Sequence, residues 1–275
     1  MTKPTAETPI ESSITPLLKV VTLGGRVFAR AMTRVRIEGA IDELPREGPL
    51  ILAANHTSNL DGVVLGAWLI PKLGRRIHWL GKKELFDWPI VAYVARNGGV
   101  HPVDRGSADV EAFRLARRIL EEGHVLFVFP EGTRSPDGSL QQAHDGVASL
   151  ALRTGVPIVP IGIAGSNQVW PRGQKLPHPG GRVTVRIGRP FRPADVLPAT
   201  ADRRSAKTRL TSVIMHARWN RQAGESRDHE LFSGKRGPGV AFSGSAWDGV
   251  PPPQLPVPRL ARRFLAAGAS RRASG

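Results

Sequence analysis

The sequence predicts an α/β fold: a mixed β-sheet flanked by helices, with an N-terminal amphipathic helical segment before it and a disordered basic C-terminal tail after it. Three observations carry that prediction. Short apolar runs alternate with helical periodicity from residue 35 to about 220. Residues 14–32 repeat apolar side chains at helical spacing, with basic residues elsewhere on the wheel. From Ser226 onward Gly, Pro, Ser and Arg dominate, as in Pro251-Pro252-Pro253, and no period is sustained. The 275-residue chain thus divides into an N-terminal segment 1–34, a domain 35–222 and a tail 223–275.

In the N-terminal segment the apolar stripe is Ile14, Leu17, Leu18 and Val21, then Val27, Phe28, Ala31 and Met32. Lys19, Gly24-Gly25, Arg26 and Arg30 interrupt it, so it falls short of the ~18 to 20 apolar residues that span a bilayer. It suits a helix lying in a membrane interface, and equally a helix packing on the protein's own core. A clean apolar run followed by a small-residue cleavage site is absent, so a signal peptide is not expected.

Within the domain, strands are predicted at Val35 to Glu38, Leu50 to Ala54, Ile77 to Leu80, Val125 to Phe129, Ile158 to Ala164 and Val183 to Ile187. Helices are predicted at Asn59 to Ile70, Pro89 to Arg96, Ala108 to Glu122, Asp145 to Arg153 and Ala201 to Arg221. The helix at 108–122 is the most strongly marked, with Ser107 as N-cap, an apolar stripe of Val110, Phe113, Ala116, Ile119 and Leu120, and Gly123 at its stop.

Composition narrows the chemistry. With 39 Lys and Arg against 23 Asp and Glu the chain carries +16, which suits an anionic partner, either nucleic acid or an anionic membrane surface. The tail concentrates this charge. The absence of cysteine excludes a thiol nucleophile, a disulfide framework and a Cys-ligated zinc site. There is no Gly-x-Ser-x-Gly elbow and no His-Glu-x-x-His cluster, so neither a serine acyl-enzyme nor a zincin-type metal centre is indicated.

Two short motifs stand out. Asn55-His56-Thr57-Ser58-Asn59-Leu60-Asp61 follows an apolar strand and offers a proton acceptor, His56, with a carboxylate, Asp61, that could orient it. On one continuous helix these two would lie about 140° apart. If a helix instead starts near Asn59 with Ser58 as N-cap, His56 sits in the loop and can bend back to Asp61. The same letters also read as a capping box in which Asp61 only supports the helix end. The second motif, Phe129-Pro130-Glu131-Gly132-Thr133-Arg134-Ser135, also follows an apolar strand; Pro130 and Gly132 suit a tight turn, and Arg134 suits a phosphate oxygen. Taken alone, it could be a charged surface turn. Gly99-Val100-His101-Pro102-Val103-Asp104-Arg105 reads as an ordinary loop carrying one more Arg.

Together these blocks resemble the glycerolipid acyltransferases, especially the 1-acylglycerol-3-phosphate (lysophosphatidic acid) acyltransferases. The family's His-x4-Asp block is similar to His56 to Asp61, its Gly-rich block ending in Arg to Gly99 to Arg105, its Phe-Pro-Glu-Gly-Thr-Arg block to Phe129 to Arg134, and its apolar Val-Pro block to Val156-Pro157-Ile158-Val159-Pro160. Gly81-Lys82-Lys83-Glu84-Leu85-Phe86 agrees as well. The resemblance covers residues 35 to 190. The sequence departs from the pattern at His101-Pro102, where bulky apolar residues are more usual, and at His144-Asp145-Gly146, which replaces a Lys-Gly pairing and so removes one cation.

The resemblance implies that His56 is the general base and Asp61 its orienter. Arg105 and Arg134 would bind the acceptor's phosphate, with Glu131 and Gly132 shaping the loop and Lys82 as a further cation. It implies direct acyl transfer without cofactor or metal, from acyl-CoA or acyl carrier protein to the free hydroxyl of a lysophospholipid. The implied product is phosphatidic acid. Alternative acceptors are glycerol 3-phosphate, another lysophospholipid or an amino-acid lipid. A lipid substrate places the expected enzyme at the cytoplasmic face of the cell membrane, peripherally bound to its anionic surface and without a transmembrane span. Nucleic acid is not an expected partner, since no binding motif or aromatic platform accompanies the charge.

Overall fold

A computed structural model describes residues 10–103, 109–198 and 200–217. The chain alternates strand and helix in the order α1 (Pro16–Met32), β1 (Arg34–Gly39), β2 (Leu50–Ala54), α2 (Asp61–Leu73), β3 (Ile77–Lys82), α3 (Pro89–Asn97), β4 (Val100–Val103), α4 (Asp109–Glu121), β5 (Val125–Val128), α5 (Gly146–Thr154), β6 (Ile158–Ala164), α6 (Ser166–Val169), β7 (Arg182–Ile187), α7 (Pro193–Val196) and α8 (Arg203–Ala217).

The strands form one mixed sheet in the order β1-β7-β6-β2-β5-β3-β4. From β6 to β4 neighbouring strands run parallel, with Ile51 beside both Leu126 and Ile158. Strand β7 is antiparallel to β6 and carries β1 parallel to itself. Strand β2 is buried along its whole length, as expected for a central strand covered on both faces.

Alternation within β2 divides the core. Leu50, Leu52 and Ala54 face one side with Leu65, Leu69 and Leu73 of α2 and Leu18 and Ala29 of α1. Ile51 and Ala53 face the other with Ile119 of α4, Ala148 and Ala151 of α5, and Leu210 and Ile214 of α8. The helix after β2 therefore covers one face and the helix after β5 covers the opposite face. Between adjacent parallel strands such a divergence opens a crevice at their carboxyl ends.

Helix α1 opens on Thr15, whose hydroxyl accepts the Leu18 N–H at 3.2 Å, with Pro16 at its first position. Its inward line is Leu18, Thr22 and Ala29, with Gly25 facing Val63 and Ala67 of α2. Val27, read from the sequence as part of the apolar stripe, instead lies on the outward side with Val20 and Leu23. The seam to α2 uses small residues, which allow close approach and leave the larger apolar ones outside.

Other boundaries differ from expectation for identifiable reasons. Helix α2 starts at Asp61, not Asn59, because Ser58 and Asn59 are bound to residues 170–174. The segment from Gly99, read as a loop, supplies edge strand β4, which pairs only with β3 and so tolerates Pro102. The predicted Ser107 cap, residues 218–221 of the last helix and the basic tail lie outside the described residues.

Beneath β3 and β4 three imidazoles meet. His78 Nδ1 is 3.0 Å from His101 Nε2, and its ring centroid is 5.2 Å from that of His124. His101 is thus placed by its contact with His78, their ring centroids 5.2 Å apart. Burial pushes the His78 pKa down to about 3, with the His101, His124 and Arg76 charges adding to the shift; burial also lowers His101. A folded pKa below the unfolded value of about 6.5 means that the unfolded chain takes up a proton the folded one refuses. Stability from this source is intact above pH 6.5 and falls as pH drops toward 3, by at most about 1.4 kcal/mol per pH unit. Urea unfolding should show that decline between pH 6.5 and 5, and His78→Leu should flatten it. An unchanged slope in the variant would refute the account.

Candidate active site

The two motifs leave the carboxyl ends of the adjacent strands β2 and β5. Asn55, directly after β2, prolongs the pairing to β6: its Nδ2 donates to the Ile163 carbonyl and its Oδ1 accepts the Ile163 N–H, both at 2.8 Å. The next residues turn out of the sheet and are tied to a segment far along the chain. Ser58 Oγ donates to the Trp170 carbonyl at 2.7 Å, and the Asn59 N–H reaches the same oxygen at 3.1 Å. This anchoring fixes the bend that returns His56 toward Asp61.

Asp61 is fully buried and every oxygen of its carboxylate is used. Oδ2 faces His56 Nδ1 at 2.9 Å and accepts the backbone N–H groups of Thr57 at 2.7 Å and Ser58 at 2.8 Å. Oδ1 accepts the Ser166 hydroxyl at 2.6 Å. Asp61 thus orients His56 and ties down the Thr57–Ser58 turn, while α2 starts after Leu60 without a side-chain cap. The Ser58 hydroxyl, by contrast, takes the Leu60 N–H at 3.0 Å. Since a carboxylate only accepts, its contact with His56 places the ring proton on Nδ1. Nε2 makes no hydrogen bond among the described residues, and the imidazole keeps one-fifth of its surface exposed.

Phe129 stacks on the His56 ring with centroids 3.8 Å apart and planes within 10°. Its other neighbours are Phe127 and Trp79, so the imidazole rests on an aromatic stack rooted in β5 and β3. The turn after Phe129 closes with the Gly132 N–H on the Phe129 carbonyl at 2.9 Å, Gly132 adopting the positive φ of 66° that glycine permits. Glu131 is buried, Arg134 is half-buried, and the Ser135 N–H binds the His56 carbonyl at 2.8 Å. That last bond brings the two motifs to one place. His144 packs beside Gly132, and its N–H binds the Pro130 carbonyl at 2.9 Å. Asp137, further along, is held down to about 2 by the Ser139 hydroxyl, the Ser139 N–H and the Ser135 hydroxyl.

Of the other predicted residues, Lys82 ends β3, the strand beside β5, and is exposed. Arg105 lies outside the described residues. Among those described, no group of three or more His, Asp or Glu is placed to hold a metal ion.

The acyltransferase family model matches residues 34–164, a stretch that holds both motifs and their strands. Over that stretch the chain is similar to the acyltransferase family. It is 32% identical over 169 residues to the chloroplastic 1-acyl-sn-glycerol-3-phosphate acyltransferase LPAT1 of Arabidopsis thaliana, covering 60% of this chain and 46% of that protein. It is 34% identical over 157 residues to the lyso-ornithine lipid O-acyltransferase of Pseudomonas aeruginosa, covering 56% and 57%. The crystal structure of the 1-acyl-sn-glycerophosphate (LPA) acyltransferase PlsC from Thermotoga maritima superposes with a TM-score of 0.58 at 26% identity, over 72% of this chain and 77% of that one. The chain spans about half the length of the curated relatives it matches.

The sequence alone missed three parts of this site. Asn55 was visible only as a motif letter, and its pairing with Ile163 is set by strand order. Ser166 and Arg172, whose guanidinium donates to the Arg134 carbonyl at 3.0 Å, carry no local signal at all.

Proposed function

We propose that this protein transfers a fatty acyl group from acyl-CoA or acyl carrier protein to the free hydroxyl of 1-acylglycerol 3-phosphate, giving phosphatidic acid. The observation that carries this reading is the contact of His56 Nδ1 with the buried Asp61 carboxylate, which leaves Nε2 as the basic nitrogen in the crevice. In this mechanism Nε2 takes the hydroxyl proton as the oxygen attacks the thioester carbonyl. The tetrahedral intermediate then collapses, the C–S bond breaks, and the imidazolium proton passes to the thiolate. Asp61 stabilises the imidazolium without taking the proton. Arg134 and Arg105 bind the phosphate, their guanidinium forks matching its oxygens, with Glu131 and Gly132 shaping the loop and Lys82 as a further cation.

The similarity to the Pseudomonas lyso-ornithine lipid O-acyltransferase supports a second reading, in which the acceptor is a different lyso-lipid. Purified protein should be offered labelled acyl-CoA and acyl carrier protein thioesters with lysophosphatidic acid, glycerol 3-phosphate and several lyso-lipids. Phosphatidic acid as the dominant product is expected. Preference for an acceptor lacking phosphate selects the second reading, and no acylation of any acceptor defeats both.

The reading includes peripheral attachment to the anionic cytoplasmic face of the membrane. Among the described residues no helix is long and apolar enough to cross a bilayer. Helix α1 supports surface attachment: Val20, Leu23 and Val27 are 62 to 66% exposed opposite its buried line, Lys19, Arg26 and Arg30 flank them, and the helix has no acidic residue. Trp88 and Tyr93, at 71 and 61% exposed on and before α3, are side chains suited to the interface. Each basic residue at an anionic surface contributes about 1 kcal/mol, screened by salt. The protein should float with anionic vesicles at low salt, less so at high salt, and L23D/V27D should lose flotation. Wild-type protein remaining in the soluble fraction at low salt would sink this part.

A further inference from the structure

We propose that Ser166 is a positioning residue for the His56–Asp61 pair, an inference that rests on the acyl-transfer reading of the site. Ser166 lies 105 residues after Asp61 and is fully buried at the start of α6. It arrives there through Gly165, whose φ of 79° is left-handed and where any Cβ would collide with the Arg182 carbonyl. The turn into α6 is thus built to deliver one hydroxyl to the back of the carboxylate.

The direction of the hydrogen bonds follows from valence. Asp61 Oδ1 can only accept, so the single proton of Ser166 Oγ is committed to it at 2.6 Å. Thr57 Oγ1, 3.1 Å from Ser166 Oγ, must then be the donor in that contact. Thr57 donates to Ser166 and Ser166 donates to Asp61, the first bond strengthening the second, while His56 Nδ1–H donates to the same carboxylate from the opposite side. The two backbone N–H groups hold Oδ2, and because rotation about the Cβ–Cγ bond moves both oxygens together, the bond on Oδ1 opposes the same rotation from the other side. Ser166 fixes the second oxygen and hence the plane in which Oδ2 presents its lone pair to Nδ1.

Without the hydroxyl, Oδ1 would remain buried and unpaired, which is costly for a charged group. The carboxylate would turn to find another donor and lose its alignment with the imidazole. The loss should fall on the chemical step, since Ser166 is too deeply buried to touch substrate.

The experiment compares Ser166→Ala with wild type, His56→Ala and the double variant, using the acyl-transfer assay and the downfield ¹H NMR resonance of the His56 Nδ1–H, assigned by its absence in His56→Ala. Ser166→Ala is expected to lower kcat about ten- to a hundredfold with both KM values unchanged. It should also shift or broaden the Nδ1–H resonance, and it should add nothing to His56→Ala. An unchanged kcat, an unchanged resonance, or an equal loss on top of His56→Ala overturns the proposal. The NMR arm needs no substrate, so it reads the Ser166 contact even if the acyl-transfer reading fails. Should Ser166→Ala not fold, Ser166→Cys, close in size but a weak donor, takes its place in every arm.

Discussion

Replacing His56 by alanine should lower kcat for acyl transfer by about 10²- to 10⁴-fold, the range typical of one general base, with little change in either KM. The expectation follows from the geometry. The ring is oriented at Nδ1 by Asp61 and stacked on Phe129, so its Nε2 is held ready before substrate arrives. Steady-state kinetics with each substrate varied in turn checks it, and a variant as active as wild type would remove His56 from the mechanism. Asp61→Asn is the informative partner. Its amide oxygen can take the Oδ2 position and keep the Thr57, Ser58 and His56 donors, while its NH₂ faces Ser166, whose hydroxyl can rotate to accept. The loop geometry survives and only the negative charge is lost. A fall in kcat with unchanged thermal stability would then measure the charge's part in stabilising imidazolium.

The largest stability effect is expected from Phe127→Ala, about 3 to 5 kcal/mol. Phe127 is buried in β5, with its ring centroid 4.0 Å from that of Trp79 and 5.0 Å from that of Phe129. Truncation leaves a cavity in the core on that face of the sheet, beside Trp79 of the neighbouring strand, and Phe127→Leu should recover part of the loss. Because Phe129 carries the His56 ring, the same substitution should also reduce activity in protein that is still folded. Urea unfolding followed by circular dichroism, with activity measured well below the midpoint, separates the two effects. A loss under 1 kcal/mol would show that the aromatic stack is not a packing unit.

Helix and strand periodicity made most of the fold legible, because side chains alternating at 2.0 or 3.6 residues report which face is covered. The places where the reading failed share a cause. Strand β4 contains Pro102 and only four residues, so nothing local distinguishes it from a loop; it is a strand because β3 offers it an edge. Val27 groups in one apolar stripe with residues that meet the core, because apolar character does not say which side of a helix is covered. Glycine and alanine at the α1–α2 seam decided that, through close approach.

The sequence by itself determined the types of chemistry available: a base and a carboxylate after one apolar strand, an Arg-bearing turn after another, and no cysteine. It left capping and orienting as rival readings of Asp61. The tertiary structure decided for orienting, because the buried carboxylate binds His56 and the Thr57 and Ser58 N–H groups of the preceding loop, while α2 starts after Leu60 without a side-chain cap. It also decided that β2 and β5 are neighbours, that the Ser135 N–H joins the two motifs, and that a hydroxyl 105 residues away completes the set. Hydrogen bonds across such separations depend on strand order and on where a chain can turn. Those are properties of the packed sheet, which local periodicity does not encode.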